Sequence, residues 1–111
     1  MLYELRCYDI DPVLLGEYLA WANDHALPLV VEQFDFRLVG FWQVVAPANA
    51  TEASATNIHW VIAWQDEQEM LSRWEQVLAS SSWAAIWDGR PRFHLKVERK
   101  LLQPIPRSPL Q

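Results

Sequence analysis

Residues 36–45 read FRLVGFWQVV, and this stretch decides the fold because it is apolar on both faces of any strand it forms. Strict alternation puts Phe36, Leu38, Trp42 and Val44 on one side and Val39, Phe41 and Val45 on the other, with Gly40 inside the run. Residues 57–64, NIHWVIAW, repeat the pattern: Ile58, Trp60, Ile62 and Trp64 oppose Val61 and Ala63. A sheet made of such strands needs a cover on each face. Gly40 reads as a bulge or a point of close packing.

Two further strands flank these. Residues 2–8, LYELRCY, alternate Tyr3, Leu5 and Cys7 with Glu4, Arg6 and Tyr8. Residues 92–102, RFHLKVERKLL, alternate Phe93, Leu95 and Val97 with His94, Lys96 and Glu98. Asp11-Pro12 supplies an N-cap and a first helical residue for a helix with Leu14, Leu15, Tyr18, Leu19, Trp21, Ala22, His25 and Leu29 on its apolar face. Pro28 lacks an N–H and its ring crowds the preceding turn, so the spacing predicts a kink or stop near residues 25–28. Asp66 and Glu69 open a second helix with a capping-box variant, followed by Met70, Leu71, Trp74, Val77 and Leu78. Residues 80–91, SSSWAAIWDGRP, read as a helix exit and a short turn, and residues 46–56 as a flexible hairpin loop. Asn49-Ala50-Thr51 in that loop matches a glycosylation sequon, which carries little weight without a secretory signal.

The order β-α-β-β-α-β predicts an α+β, ferredoxin-like domain over residues 1–103, with two helices on one face of a four-stranded antiparallel sheet. Residues 104–111, rich in proline, are expected to be extended or disordered. Two helices cover one face only. A second copy of the chain is the economical cover for the other, so a homodimer through the sheet faces is expected.

Composition narrows the function classes. At 111 residues the chain is one domain, 51% apolar and 21% charged, with a net charge of −5. That balance argues against nucleic-acid binding, which needs a basic face. No apolar run approaches the roughly 18 residues of a spanning helix, and the opening residues enter a strand directly, so neither membrane insertion nor a signal peptide is expected. One cysteine, Cys7, forms no internal disulfide; a buried small hydrophobe in a reducing cytoplasm is the expectation. Seven tryptophans imply an oversized core, an interface or the lining of an apolar pocket.

His25 is the leading catalytic candidate, because a histidine at a helix break has a proton affinity tunable near neutral pH. The competing reading is a core histidine bonded to a carbonyl freed by Pro28. Arg6 could bind a carboxylate or stabilise an enolate, with Tyr8 donating a hydrogen bond. The plainer alternative is a Glu4–Arg6 pair neutralising itself in or near the dimer interface. Trp42, Trp60 and Trp64 could line a slot for a flat aromatic substrate, or serve as sheet core and dimer contact. His25, His59, His94 and Cys7 lie on separate elements without ligand spacing, so no metal is expected. No cofactor is implied, and no glycine-rich phosphate loop fits in a chain with three glycines.

The opening LYELRCY, the segment HALPL (25–29), LVGFW (38–42) and, more loosely, Trp83 within SSSWAAIW resemble the NIPSNAP family of the dimeric α/β-barrel superfamily. Ala26 departs from that pattern, where the family has a glycine. The resemblance implies ferredoxin-like protomers paired face to face, each with a ligand site between helices and sheet. The superfamily includes cofactor-independent monooxygenases, small-molecule isomerases or dehydratases, and haem-handling enzymes. The resulting expectation is a homodimer binding or transforming a small apolar or aromatic metabolite. The alternatives are a non-catalytic interaction dimer and a cofactor-independent monooxygenase.

Overall fold

A computed structural model describes residues 1–45 and 56–111. The expected hairpin loop, apart from Thr56, and its sequon at Asn49 lie outside the described residues. The chain opens with β1 (Leu2–Ile10). The Asp11 carboxylate then accepts the Val13 N–H at 3.0 Å, and Pro12 follows as the first residue of a 3-10 turn leading into α1 (Leu15–Trp21). That N-terminal signature is the one expected.

The helix does not stop at Pro28. It runs on through wide π turns over Ala22–Ala26 and Leu29–Gln33, with the Leu27 N–H bonded to the Ala22 carbonyl five residues back. The wider turn relieves the clash that a proline ring makes in a regular α-helix, which is why the chain does not stop there. Termination comes at Asp35, whose φ of 55° is left-handed, a conformation that short polar side chains tolerate. The Phe36 N–H closes on the Val30 carbonyl at 3.0 Å. The π turns also alter the inward spacing. Ala22, Ala26 and Val30, four residues apart, are buried, while His25 is exposed.

The remaining elements are β2 (Arg37–Gln43), β3 (Ile58–Trp64), α2 (Glu67–Ala79), α3 (Ser81–Trp87) and β4 (His94–Leu102). All strand pairs are antiparallel, in the order β2-β3-β1-β4. This is the predicted ferredoxin-like α+β sheet with helices on one face. The Asp66 carboxylate caps α2 by accepting the Glu69 N–H at 2.8 Å. The segment expected as a helix exit and turn instead contains α3. The Ser80 hydroxyl donates to the Val77 carbonyl at 2.9 Å and accepts the Trp83 N–H at 3.1 Å, closing one helix and opening the next.

Two bulges set which side chains share a face, because directly opposed residues of a ladder lie on the same side. In β2, Leu38 opposes Ile62 and Gly40 opposes Val61, so Val39 is the extra residue. Leu38 and Phe41 therefore both face inward, toward the helices, and Trp42 faces outward opposite His59. The Trp42 indole folds back over Gly40, where a Cβ would sit 2.2 Å from its ring. In β4, Leu95 is the extra residue: Ile10 opposes His94 and Asp9 opposes Lys96. His94 thereby joins Val97 and Arg99 on the inner face.

The core lies between that inner face and the helices. Ile10, Ile58, Ile62, Trp64 and Phe93 pack with Tyr18, Trp21, Val30, Met70 and Val77. On the outer face Tyr3, Cys7 and Ala63 are buried, whereas Val39, Trp42 and Leu102 are exposed. Residues 104–111 are not an extended tail. They curl into a turn in which Ser108 N–H bonds the Ile105 carbonyl at 2.9 Å, and the Tyr3 hydroxyl donates to the Gln111 carbonyl at 2.7 Å. Among the described residues no helix is long and apolar enough to cross a membrane.

Candidate functional site

A pocket of about 420 Å³ opens between the inner face of the sheet and the helices. Its apolar wall comes from α1 and its π extension (Tyr18, Trp21, Ala22, Ala26, Val30), from Trp74 and Leu78 on α2, and from Trp83 and Trp87 on α3. The sheet supplies Arg6 and Tyr8 from β1, Phe41 from β2, Trp60 from β3, and His94, Val97 and Arg99 from β4. Such a volume and lining are those of a small-molecule site. Trp83 and Trp87 reach it together because they stand one turn apart on α3, and the Trp87 ring packs 4.2 Å from that of Trp21, tilted by 48°.

The polar end of the pocket is anchored behind its wall. Glu4 is 1% exposed, and its Oε1 accepts the indole N–H groups of Trp64 (3.1 Å) and Trp74 (2.9 Å). Its Oε2 accepts Arg6 Nη1 at 2.8 Å. Arg6 Nε donates to the Tyr8 hydroxyl at 2.6 Å, and the guanidinium lies 4.5 Å from the Trp74 ring centroid. Burial opposes the charge on Arg6, but Tyr8 and Glu4 outweigh it and hold the guanidinium protonated. Burial also pushes the Tyr8 phenol up, against the pull of Arg6. Tyr8 therefore accepts from Arg6 while keeping its own proton to donate. The Trp60 indole N–H, buried near the same hydroxyl, closes no hydrogen bond of ordinary geometry among the described residues.

His94 stands beside this group, its ring 4.5 Å from that of Tyr8 and edge-on to it. Burial, reinforced by Arg6, lowers its pKa to about 4, so the imidazole is neutral at pH 7. Tyr18, also buried, is pushed up and stays a phenol.

The expected site residues separate. Arg6, Tyr8 and Trp60 meet in the pocket. Trp64 lies beneath it, fully buried and committed to Glu4. Trp42 is 51% exposed on the opposite face of the sheet, because the bulge at Val39 turns it outward. His25 was expected on the sheet-facing side bordering the pocket; the π turns put it on the solvent side instead. The Glu4–Arg6 pair forms, but toward the helices rather than the uncovered face. Strict alternation along β4 sets His94 on the face opposite Val97, and the bulge at Leu95 brings it to the inner face instead; Arg99 keeps the parity of Val97 and carries no signal of its own in the pattern. Trp83 and Trp87 had a usable signal in their four-residue spacing. Among the described residues no group of three or more His, Cys, Asp or Glu is placed to hold a metal ion.

Comparison with known proteins places this geometry. Residues 3–109 match the family model NIPSNAP. An uncharacterised NIPSNAP domain protein from Burkholderia xenovorans is similar over 98% of this chain and 99% of its own, with TM-score 0.79 and 23% identity. A NIPSNAP family protein of unknown function from Agrobacterium tumefaciens strain C58 gives TM-score 0.82 and 21% identity, covering 100% of this chain and 94% of its own. An antibiotic biosynthesis monooxygenase shares the fold at TM-score 0.60 and 12% identity, over 96% of this chain and 100% of its own. No curated protein matches the sequence.

Two expectations follow from the anchored end. Glu4→Leu leaves Arg6 buried without its counter-charge and costs about 3–5 kcal/mol in urea unfolding. The uncharged pair Glu4→Leu/Arg6→Met recovers only the part due to the stranded charge, because the indole N–H groups of Trp64 and Trp74 still lack their acceptor. For His94, the unfolded chain takes up a proton near pH 6.5 and the folded chain only near pH 4. Stability attributable to this ring therefore falls as pH drops from 6.5 to 4 and levels off below. Tm measured across that window declines more steeply for the wild type than for His94→Phe.

Proposed function

The chain belongs to the NIPSNAP family, and on that footing we propose that it is a homodimer in which each protomer binds or transforms a small apolar or aromatic metabolite between its helices and its sheet. The observation that carries this reading is the pocket of about 420 Å³, walled by aromatic side chains and ended by Arg6 and Tyr8. A purely structural dimer has no use for a space of that size beside a buried, oriented guanidinium. Arg6 and Tyr8 orient an oxygen of the ligand. His94, neutral and next to Tyr8, is better placed for proton transfer than the solvent-facing His25. The monooxygenase likeness supports the fold alone, so no oxygen chemistry is carried over from it.

The homodimer reading is supported by the outer face, where Val39, Trp42 and Leu102 leave apolar surface exposed on a sheet that the helices do not cover. The expected mass in solution is twice the 13.0 kDa of one chain, and Trp42→Glu shifts it toward one chain in sedimentation equilibrium. A wild-type monomer overturns the dimer.

The pocket is tested by titration calorimetry with a panel of one- and two-ring aromatic compounds. Saturable binding at one site per chain is expected. Val97→Trp, at a half-exposed lining position, weakens it by about tenfold or more, a change of at least ~1.4 kcal/mol. His25→Ala leaves it unchanged. A panel without any saturable binder overturns the reading.

A further inference from the structure

We propose that the pocket selects a monoanionic amphipathic ligand, an aromatic or branched apolar acid whose oxygen head sits on Arg6 and Tyr8 under the field of Arg99. This rests on the pocket being a ligand site and names the chemistry it takes. Three observations point the same way. First, the lining contains two arginines and no carboxylate. Glu4, behind the wall, is saturated by two indoles and Arg6 Nη1.

Second, Arg6 and Arg99 are direct cross-strand partners on the inner face. Like charges in that relation repel and destabilise the ladder. Glu4 relieves Arg6, but Arg99 makes no ion pair among the described residues, although it also borders a smaller groove with Glu4 and Glu67. Arg99 is exposed, and an anion in the pocket that both side chains line offsets their like charge. Third, the donors are arranged for oxygen. Arg6 commits Nε to Tyr8 and Nη1 to Glu4, leaving Nη2 without a partner among the described residues. Tyr8, accepting from Arg6, is left to donate. One carboxylate satisfies both donors, whereas a protonated amine meets two positive charges and no carboxylate in the lining. Within the same pocket the apolar wall of Trp21, Trp83 and Trp87 takes the body of the ligand.

The test compares 2-naphthoate, its neutral isostere 2-naphthamide and the cationic 2-naphthylmethylamine by calorimetry at pH 7 and low salt. The acid is expected to bind about ten- to hundredfold tighter than the amide, the range of a charge-assisted hydrogen bond, and the amine more weakly than either. Because Arg6 also neutralises Glu4, it is removed together with it. Glu4→Gln/Arg6→Gln, checked for a cooperative melt, loses the preference for the acid while still binding the amide. Should that variant fail to fold, Tyr8→Phe keeps the ring and lowers acid affinity several-fold, and Arg99→Gln narrows the acid–amide gap and its salt dependence. Amide binding as tight as acid binding overturns this proposal and leaves the pocket intact as a ligand site. Binding by none of the three compounds overturns the pocket reading itself.

Discussion

One buried carboxylate organises the molecule. Glu4 sits on a central strand with its two oxygens divided among three donors, and those donors come from β1, β3 and α2. Burying a charge is unfavourable unless it is fully hydrogen-bonded and paired, so these three elements are held in one relative arrangement or the charge is stranded. The same contacts orient the chemistry. Arg6 can point into the pocket only because Glu4 restrains one edge of its guanidinium and Trp74 lies against its face. The packing of the fold and the polar end of the pocket therefore share residues.

Around this anchor the fold was legible in the sequence where periodicity and capping agree. The four strands, the helix starts at Asp11 and Asp66, and the double-sided strand β3 all followed from local pattern. Side-chain direction was legible only where strands are regular. On β1 the separation of Glu4, Arg6 and Tyr8 from Tyr3, Leu5 and Cys7 was correct. On β2 and β4 one extra residue breaks the alternation, which puts Trp42 on the outer face and His94 in the pocket lining. A bulge is a tertiary choice between partner strands. Gly40 hinted at the first, and Leu95 carries no mark of the second.

The first helix failed for a related reason. Pro28 disfavours a regular α turn, and the spacing leaves a kink and a stop as the two outcomes. The chain has another solution, a widened turn that keeps the segment helical to Gln33 and changes the spacing of its buried face from 3.6 toward four. Ala22, Ala26 and Val30 profit from that spacing and His25 does not. Two of those three residues are alanines, whose small side chains leave the space that the pocket occupies.

Five of the seven tryptophans line this one cavity. Their rings are also close to one another: Trp21 lies 4.2 Å from Trp87 and 6.3 Å from Trp83, and Trp60 lies 6.1 Å from Trp74. Indoles at such distances share their electronic excitation. The pocket is thus the chromophore of the protein, and its near-ultraviolet circular dichroism reports the packing of the cavity wall far more than that of the remaining surface. An occupant that tilts one ring alters a coupled signal, so this fold carries a built-in optical record of whether its cavity is filled.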